Sequence, residues 1–245
     1  MKRSISIGLV SLAAMGILSG CGLTSTPTAM TSQIVSRTVD PNGLSKVETA
    51  MLGVSNDHSY QVKAGMTVAA GHYLRRISYY GYVSLPGFVS MDETIGGVDY
   101  QIYQMNNFAY AKTGGKWSPI QPIADLTPWT SMLALLHAHP PRVVYTLPQV
   151  TLVSWPCYVY QFRANDLNAS LTKLGANGKL IAHQALYTVY VDVKDGKLRQ
   201  IQVQSTVGVP GLGTASLNST ELFFNYNKIV PMSAPSDLMT QIEQP

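Results

Sequence analysis

Charge is scarce in this chain. Of its 245 residues only 12% are Asp, Glu, Lys or Arg, about half of the usual quarter. Seventeen basic residues face 13 acidic ones. Lys2 and Arg3 fall in the N-terminal segment described below, and without them 15 basic residues stand against 13 acidic ones. A surplus so small and scattered excludes the basic stripe by which proteins hold nucleic acid. Cysteine is nearly absent: Cys21 and Cys157 are the only two. Two cysteines cannot build the disulfide framework that holds small exported domains together. The folded part must instead rest on an apolar core, and a hydrophobic content of 46% is enough to supply one.

Catalytic motifs are missing as well. No GxSxG elbow and no HExxH pair occurs. Five histidines are present, His58, His72, His137, His139 and His183. Only His137 and His139 are close, and an i, i+2 spacing on a helix turns the two rings to different sides. They read as partners of the helix dipole before Pro140, and no metal site is expected. Asp92 and Glu93 are adjacent in VSMDETIGG, which reads as a loop or strand end with solvated charges. Neighbours in a strand point to opposite faces, so they make a poor general acid/base pair. Cys157 lies within a strongly β-forming run and reads as a small buried hydrophobe. GVPGLG (208–213) lacks the GK[ST] ending of a phosphate loop and reads as a wide turn. Asn168-Ala-Ser and Asn218-Ser-Thr match the glycosylation acceptor pattern by coincidence. No catalytic residue and no cofactor is expected.

Long apolar runs are also absent, with one exception. After Lys2 and Arg3 comes ISIGLVSLAAMGIL (5–18), followed by the small residues Ser19 and Gly20. That order of positive, apolar and small residues is the order of a secretory signal peptide. As a helix the run reaches about 21 Å, short of a hydrocarbon core of about 30 Å. Leu18-Ser19-Gly20-Cys21 resembles the bacterial lipobox, which implies cleavage between Gly20 and Cys21 and a diacylglyceryl anchor on Cys21. Two acyl chains hold a protein at a membrane where one gives only marginal binding. The expected organisation is a signal peptide (1–20), the lipidated cysteine with a Ser/Thr-rich tether (21–41), one domain (42–235) and a C-terminal tail (236–245).

Within the domain, Leu44, Val47, Met51 and Leu52 recur at helical spacing. Strands are expected over Tyr60–Ala70, Tyr73–Val83, Gly97–Lys112, Val143–Ala164, Gln184–Lys194, Lys197–Val207 and Thr220–Val230, all rich in Tyr, Val, Ile, Phe and Thr. Thr113-Gly-Gly-Lys116 and Lys194-Asp-Gly-Lys197 are hairpin turns. Helices are expected over Asp125–His139, with Thr127 as cap and Pro128 at the first helical position, and over Asp166–Leu174. There is no internal repeat. The fold class is α+β.

The opening helix running into SYQVKAGMTVAA, the hairpin FAYAKTGGKW, a helix followed by CYVYQFRA, and the closing ALYTVYVDVKDGKLRQIQVQ and ELFFNYNKIVPMSAP together resemble the LolA/LolB-like lipoprotein carriers and the related LppX/LprG lipoproteins. The resemblance runs from Leu44 to Pro235. It implies a strongly curved antiparallel sheet, a half-barrel covered by a few helices, that encloses an apolar cavity for a lipid or acyl chain. Alternation in the sequence itself puts Tyr187, Val189 and Val191 on one strand face. It groups Leu222 with Phe224 and singles out Val159, and these six residues are the candidate ligand contacts. Sequence leaves open whether that face lines a cavity or a filled core. The partners to be expected are the membrane through Cys21, an apolar ligand and an envelope protein; the alternative function is a protein-interacting or stress-sensing lipoprotein. Replacing Cys21 by Ala should abolish incorporation of labelled palmitate and detach the chain from membranes. Labelling that persists contradicts the anchor.

Overall fold

The structure, a computed structural model, describes residues 36–70, 72–123, 126, 128–164, 181–209, 213–228 and 233–243. Gly20, Cys21, Thr127, the expected helix 166–174, Asn168 and positions 210–212 of GVPGLG lie outside the described residues.

Twelve strands form one antiparallel sheet. They are β1 (Thr38–Val39), β2 (Ser59–Ala70), β3 (Tyr73–Ser84), β4 (Phe88–Ile95), β5 (Val98–Met105), β6 (Phe108–Thr113), β7 (Lys116–Ile120), β8 (Val144–Leu152), β9 (Trp155–Ala164), β10 (Ile181–Asp192), β11 (Leu198–Val209) and β12 (Gly213–Phe224). Helix α1 (Gly43–Ser55) precedes β2, α2 (Pro128–Ala138) links β7 to β8, and α3 (Ser236–Glu243) ends the described chain. The strand order is β1-β8-β9-β10-β11-β12-β2-β3-β4-β5-β6-β7, so two runs of sequential strands, β8 to β12 and β2 to β7, meet where β12 pairs with β2, and β1 adds to the β8 edge. The sheet stays open.

Curvature follows from the core. One cluster of buried side chains joins both α1 and α2 to residues of ten strands, from Val144 of β8 round to Ala111 of β6. Laid flat, ten strands span about 43 Å, while two helices side by side are about 20 Å wide. Only a curved sheet brings all of these residues to the same two helices.

The helices are placed by their apolar positions. Val47, Ala50, Met51 and Val54 of α1 are buried, an i, i+3, i+4, i+7 stripe. Leu52, expected on that stripe, points outward at 54% exposure, and Val54 takes the inward position. From α2, Trp129, Met132, Leu133 and Leu136 enter the same core. Trp129 meets Tyr60 and Phe223 edge-on, with ring centroids 5.1 and 5.6 Å away, and its indole N–H donates to Ser55 Oγ at 3.0 Å.

Several expectations are corrected. Gly97–Lys112 is two strands, broken at Asn106, whose φ of 54° makes the turn. Val143–Ala164 is likewise two strands, with Leu152 opposite Trp155. The segment read as a loop around Asp92 is β4, where two charges interrupt an otherwise regular alternation. The turn at Asp195-Gly196 is wider than two residues, since pairing resumes only at Val191 opposite Leu198. Asp192 and Asp195 side chains accept the backbone N–H of Lys194 and Lys197 within it. Residues 236–243, read as a tail, form α3 on the opposite face of the sheet. Leu238 is buried there with Tyr82, Phe88, Tyr103 and Trp117, and Asp237 receives the Trp117 indole N–H at 3.0 Å and pairs with Lys112 at 2.6 Å.

Close strand packing needs Gly81. A Cβ there would lie 2.5 Å from the Ser90 carbonyl oxygen and 2.7 Å from Met91 Cα, both backbone atoms that cannot step aside. Gly81→Ala should lower stability by about 1–3 kcal/mol, read as a reduced urea midpoint. An unchanged midpoint contradicts this packing.

Candidate inner-face site

Strand pairing assigns every residue of the sheet to a face. One row of direct neighbours on the helix-bearing face runs Tyr160, Val189, Ile201, Glu221, Ala64, Tyr79, Glu93, Tyr100. The next runs Phe162, Tyr187, Val203, Ser219, Met66, Ile77, Ile95. The candidate contacts therefore separate. Tyr187, Val189 and Val191 are brought together in the inner core. Leu222 and Phe224 lie on the outer face, because it is Glu221, opposite Ile201, and Phe223, opposite Val62, that point inward. Val159 also faces outward, since Tyr160 opposite Val189 faces in. The reason is physical: Leu-Phe-Phe is apolar at consecutive positions, so alternation alone cannot choose the face, and a shift of one residue inverts it.

The inner face has two parts. At the end formed by Tyr60 and Phe223, α1 and α2 fill the space with large rings. Tyr60 closes this layer by donating its hydroxyl to the Leu126 carbonyl at 2.5 Å. Beyond that layer the buried inner side chains are mixed: Phe162, Tyr187, Val203, Met66, Ile77 and Leu217 stand among the small Ala64, Ala164, Ala185, Ala215, Ser205 and Ser219.

Two buried carboxyls stand in this second part. Glu221 is only 4% exposed and Glu93 only 5%. Tyr79 stands between them in the row, and the methyl group of Ala64 leaves it room to reach over β2 and donate its hydroxyl to Glu221 Oε1 at 2.9 Å. Among the described residues Glu221 Oε2 and Ser205 Oγ have no hydrogen-bond partner. Loss of water pushes the Glu221 carboxyl up to about 7, against a smaller downward pull from the Tyr79 hydrogen bond. Burial likewise pushes Glu93 up to about 7, opposed by the Arg75 charge. The Tyr79 hydroxyl is raised well above its usual value, first by burial and then by the Glu221 charge.

Elsewhere the polar groups serve the fold. Arg199 donates to Asp192 at 2.8 Å and to Asp195 at 2.6 Å, and lies over the Trp155 ring at 4.9 Å. Lys197 reaches Asp57 at 2.6 Å. Cys157 is fully buried beside this network and its thiol is pushed up to about 11, mainly by burial, so at neutral pH it stays protonated. His137 sits 3.4 Å from Glu48 of α1. Among the described residues no group of three His, Cys, Asp or Glu side chains gathers as a metal site, and no helix is long and apolar enough to cross a membrane. An open groove of about 420 Å³ lies beside the Gly114-Gly115 turn; Glu93 is among its lining residues, and of the other two carboxylates Asp99 accepts from Thr94 and Asp92 from Gln101.

Sequence reading missed Glu221, Tyr79 and Ser205, and placed Glu93 in solvent. A lone Glu inside an apolar strand such as TELFF was the available signal. Its neighbours come from β2 and β3, whose register the sequence does not state.

No family model matches the chain, and no curated protein matches it in sequence. Solved structures do. The lipoprotein LppX of Mycobacterium tuberculosis superposes with a TM-score of 0.54 at 13% identity, covering 79% of this chain and all of LppX. LprF from Mycobacterium bovis gives 0.50 at 10% identity, covering 80% of this chain and 98% of LprF. The fold is thus the LppX-like α+β curved sheet expected from sequence.

A carboxyl raised from 4.5 to about 7 on folding binds its proton more tightly in the native state. Such a group costs the fold nothing below about pH 4.5, and the cost grows as pH rises towards about 7, where it is complete. The melting temperature should therefore fall between pH 5 and pH 8, and Glu221→Gln with Glu93→Gln should flatten that slope. A slope left intact in the double variant contradicts the raised carboxyls.

Proposed function

We propose that this chain belongs to an extracytoplasmic lipoprotein, cleaved between Gly20 and Cys21 and held at a membrane by acylated Cys21. Its domain takes up an apolar ligand, a lipid or acyl chain, on the inner face of the sheet and performs no catalysis. The observation that carries this reading is the second part of the inner face. A core evolved only to be filled closes around its polar atoms, whereas here a buried carboxylate oxygen of Glu221 and the Ser205 hydroxyl have no partner among the described residues. The fold shared with two lipoproteins of other bacteria supports the same setting. Tyr187 and Val189 flank that region and are the ligand contacts retained from sequence; Val191 lies nearer the helix layer. Leu222, Phe224 and Val159, on the outer face, are not assigned to the ligand.

The second reading, a protein-interacting or stress-sensing lipoprotein with a filled core, draws on the ring-packed layer of Tyr60, Trp129 and Phe223 and on Phe108, 71% exposed at a hairpin tip. Mass spectrometry of the organic extract separates the two. The chain carrying Cys21→Ala has no acyl group of its own, so any lipid it yields is bound lipid. Uptake predicts near-stoichiometric lipid that Ala185→Trp removes while the fold persists by circular dichroism. An extract without lipid, from protein that also fails to take up added lipid, supports the filled core.

A further inference from the structure

We infer that Glu221 is the recognition point for a hydroxyl group carried by the apolar ligand. The inference rests on the uptake of an apolar ligand proposed above and names the feature that such a ligand must have.

Geometry puts the carboxyl in place. Glu221 sits near the middle of the inner face, with Ile201 and Ala64 as its direct neighbours across the pairing. The Tyr79 hydroxyl already donates to Oε1 and thereby orients the group. Oε2 is left with neither a protein donor nor an acceptor among the described residues. An unpaired buried polar atom destabilises the fold, and a ligand group that pairs with it removes that penalty. Phe223, two residues away on the same face, belongs to the ring-packed layer, so the carboxyl stands at the edge of that layer, with Ser219 two residues away on its other side.

Chemistry selects the hydroxyl. A carboxylate facing an ammonium group would bury two charges, and their desolvation offsets much of the attraction. The carboxyl is held near neutrality by burial, and in its neutral form it donates one hydrogen bond and accepts another. An alcohol does the same, so the two groups pair without net charge. An ether or hydrocarbon at this position leaves the donor or the acceptor unanswered. Ser205 lies four residues along β11 from Ile201 on the same face. That is about 13 Å along the strand, so a long-chain molecule lying parallel to the strands passes both.

Two isomers with the same atoms test this: 1-tridecanol and methyl dodecyl ether. Each displaces a fluorescent long-chain probe from the full chain carrying Cys21→Ala. The alcohol should bind about tenfold more tightly, the ratio that 1.4 kcal/mol gives. Glu221→Met, close to Glu in volume, should bring the ratio near one while the ether binds as before. In the unsubstituted chain, the infrared band of the protonated carboxyl should shift on adding the alcohol and stay in place with the ether. Equal binding of the isomers, a ratio that survives Glu221→Met, or a carboxyl band unmoved by the alcohol overturns the role of Glu221 alone. Failure of both isomers to displace the probe overturns ligand uptake itself, and this inference with it.

Discussion

The pairing of β12 with β2 is the constraint on which the rest of this structure depends. It joins the run β8 to β12 to the run β2 to β7, and it is non-local, since Phe224 lies opposite Gln61 across more than half of the chain. Its register decides everything on the inner face. With Glu221 opposite Ala64, the carboxyl points inward, Phe223 meets Tyr60 and Trp129, and Leu222 turns away. A slip of one residue would exchange these faces throughout the strand. The ring contacts of Phe223 hold the register, because only that alignment buries it fully.

Stability and the proposed binding are divided along the strands. One end is a packed core in which α1 and α2 close over Tyr60, Phe223 and Trp129, secured at its margin by the Asp57, Asp192, Lys197 and Arg199 network. The other end carries two carboxyls at nearly complete burial among apolar side chains both large and small. Burying a carboxyl costs free energy unless it is paired. The packed end offsets that cost, while at the second end Glu221 Oε2 and Ser205 Oγ have no partner among the described residues. α3 works on the opposite face, where Leu238 and the Asp237 contact with Trp117 brace β6 and β7 at the open edge.

Much of the fold was legible because its signals are local. Alternation marked β2, β3, β10 and β11, the Gly-Gly turn gave the β6–β7 hairpin, and Pro128 with Trp129, Met132 and Leu136 gave α2. What escaped depends on partners distant in sequence. The consecutive apolar residues 222–224 carry no face preference until β2 sets one, so Leu222 and Phe224 fell on the opposite side of the sheet from Tyr187, as Val159 of β9 does. Asp92 and Glu93 looked like a solvated pair, yet a strand sends one outward and the other inward, and Glu93, between Tyr79 and Tyr100 in the pairing, is buried. Tyr79 and Glu221 are 142 positions apart and meet only because Ala64 between them is small. The Asn106 turn was missed for a different reason: its positive φ is tolerated by Asn but not marked by a glycine.

The central claim is that the inner face, and not the outer, receives an apolar ligand. Methionine methyl groups report on both sides, with Met66 on the inner face and Met105 and Met239 exposed outside it. Titrating the ¹³C-methyl-labelled chain with a long-chain alcohol and following its NMR spectrum tests this directly. The account requires the Met66 resonance to move and saturate while Met105 and Met239 stay in place. Movement confined to Met105 or Met239, or no movement of Met66 at saturating ligand, would contradict it.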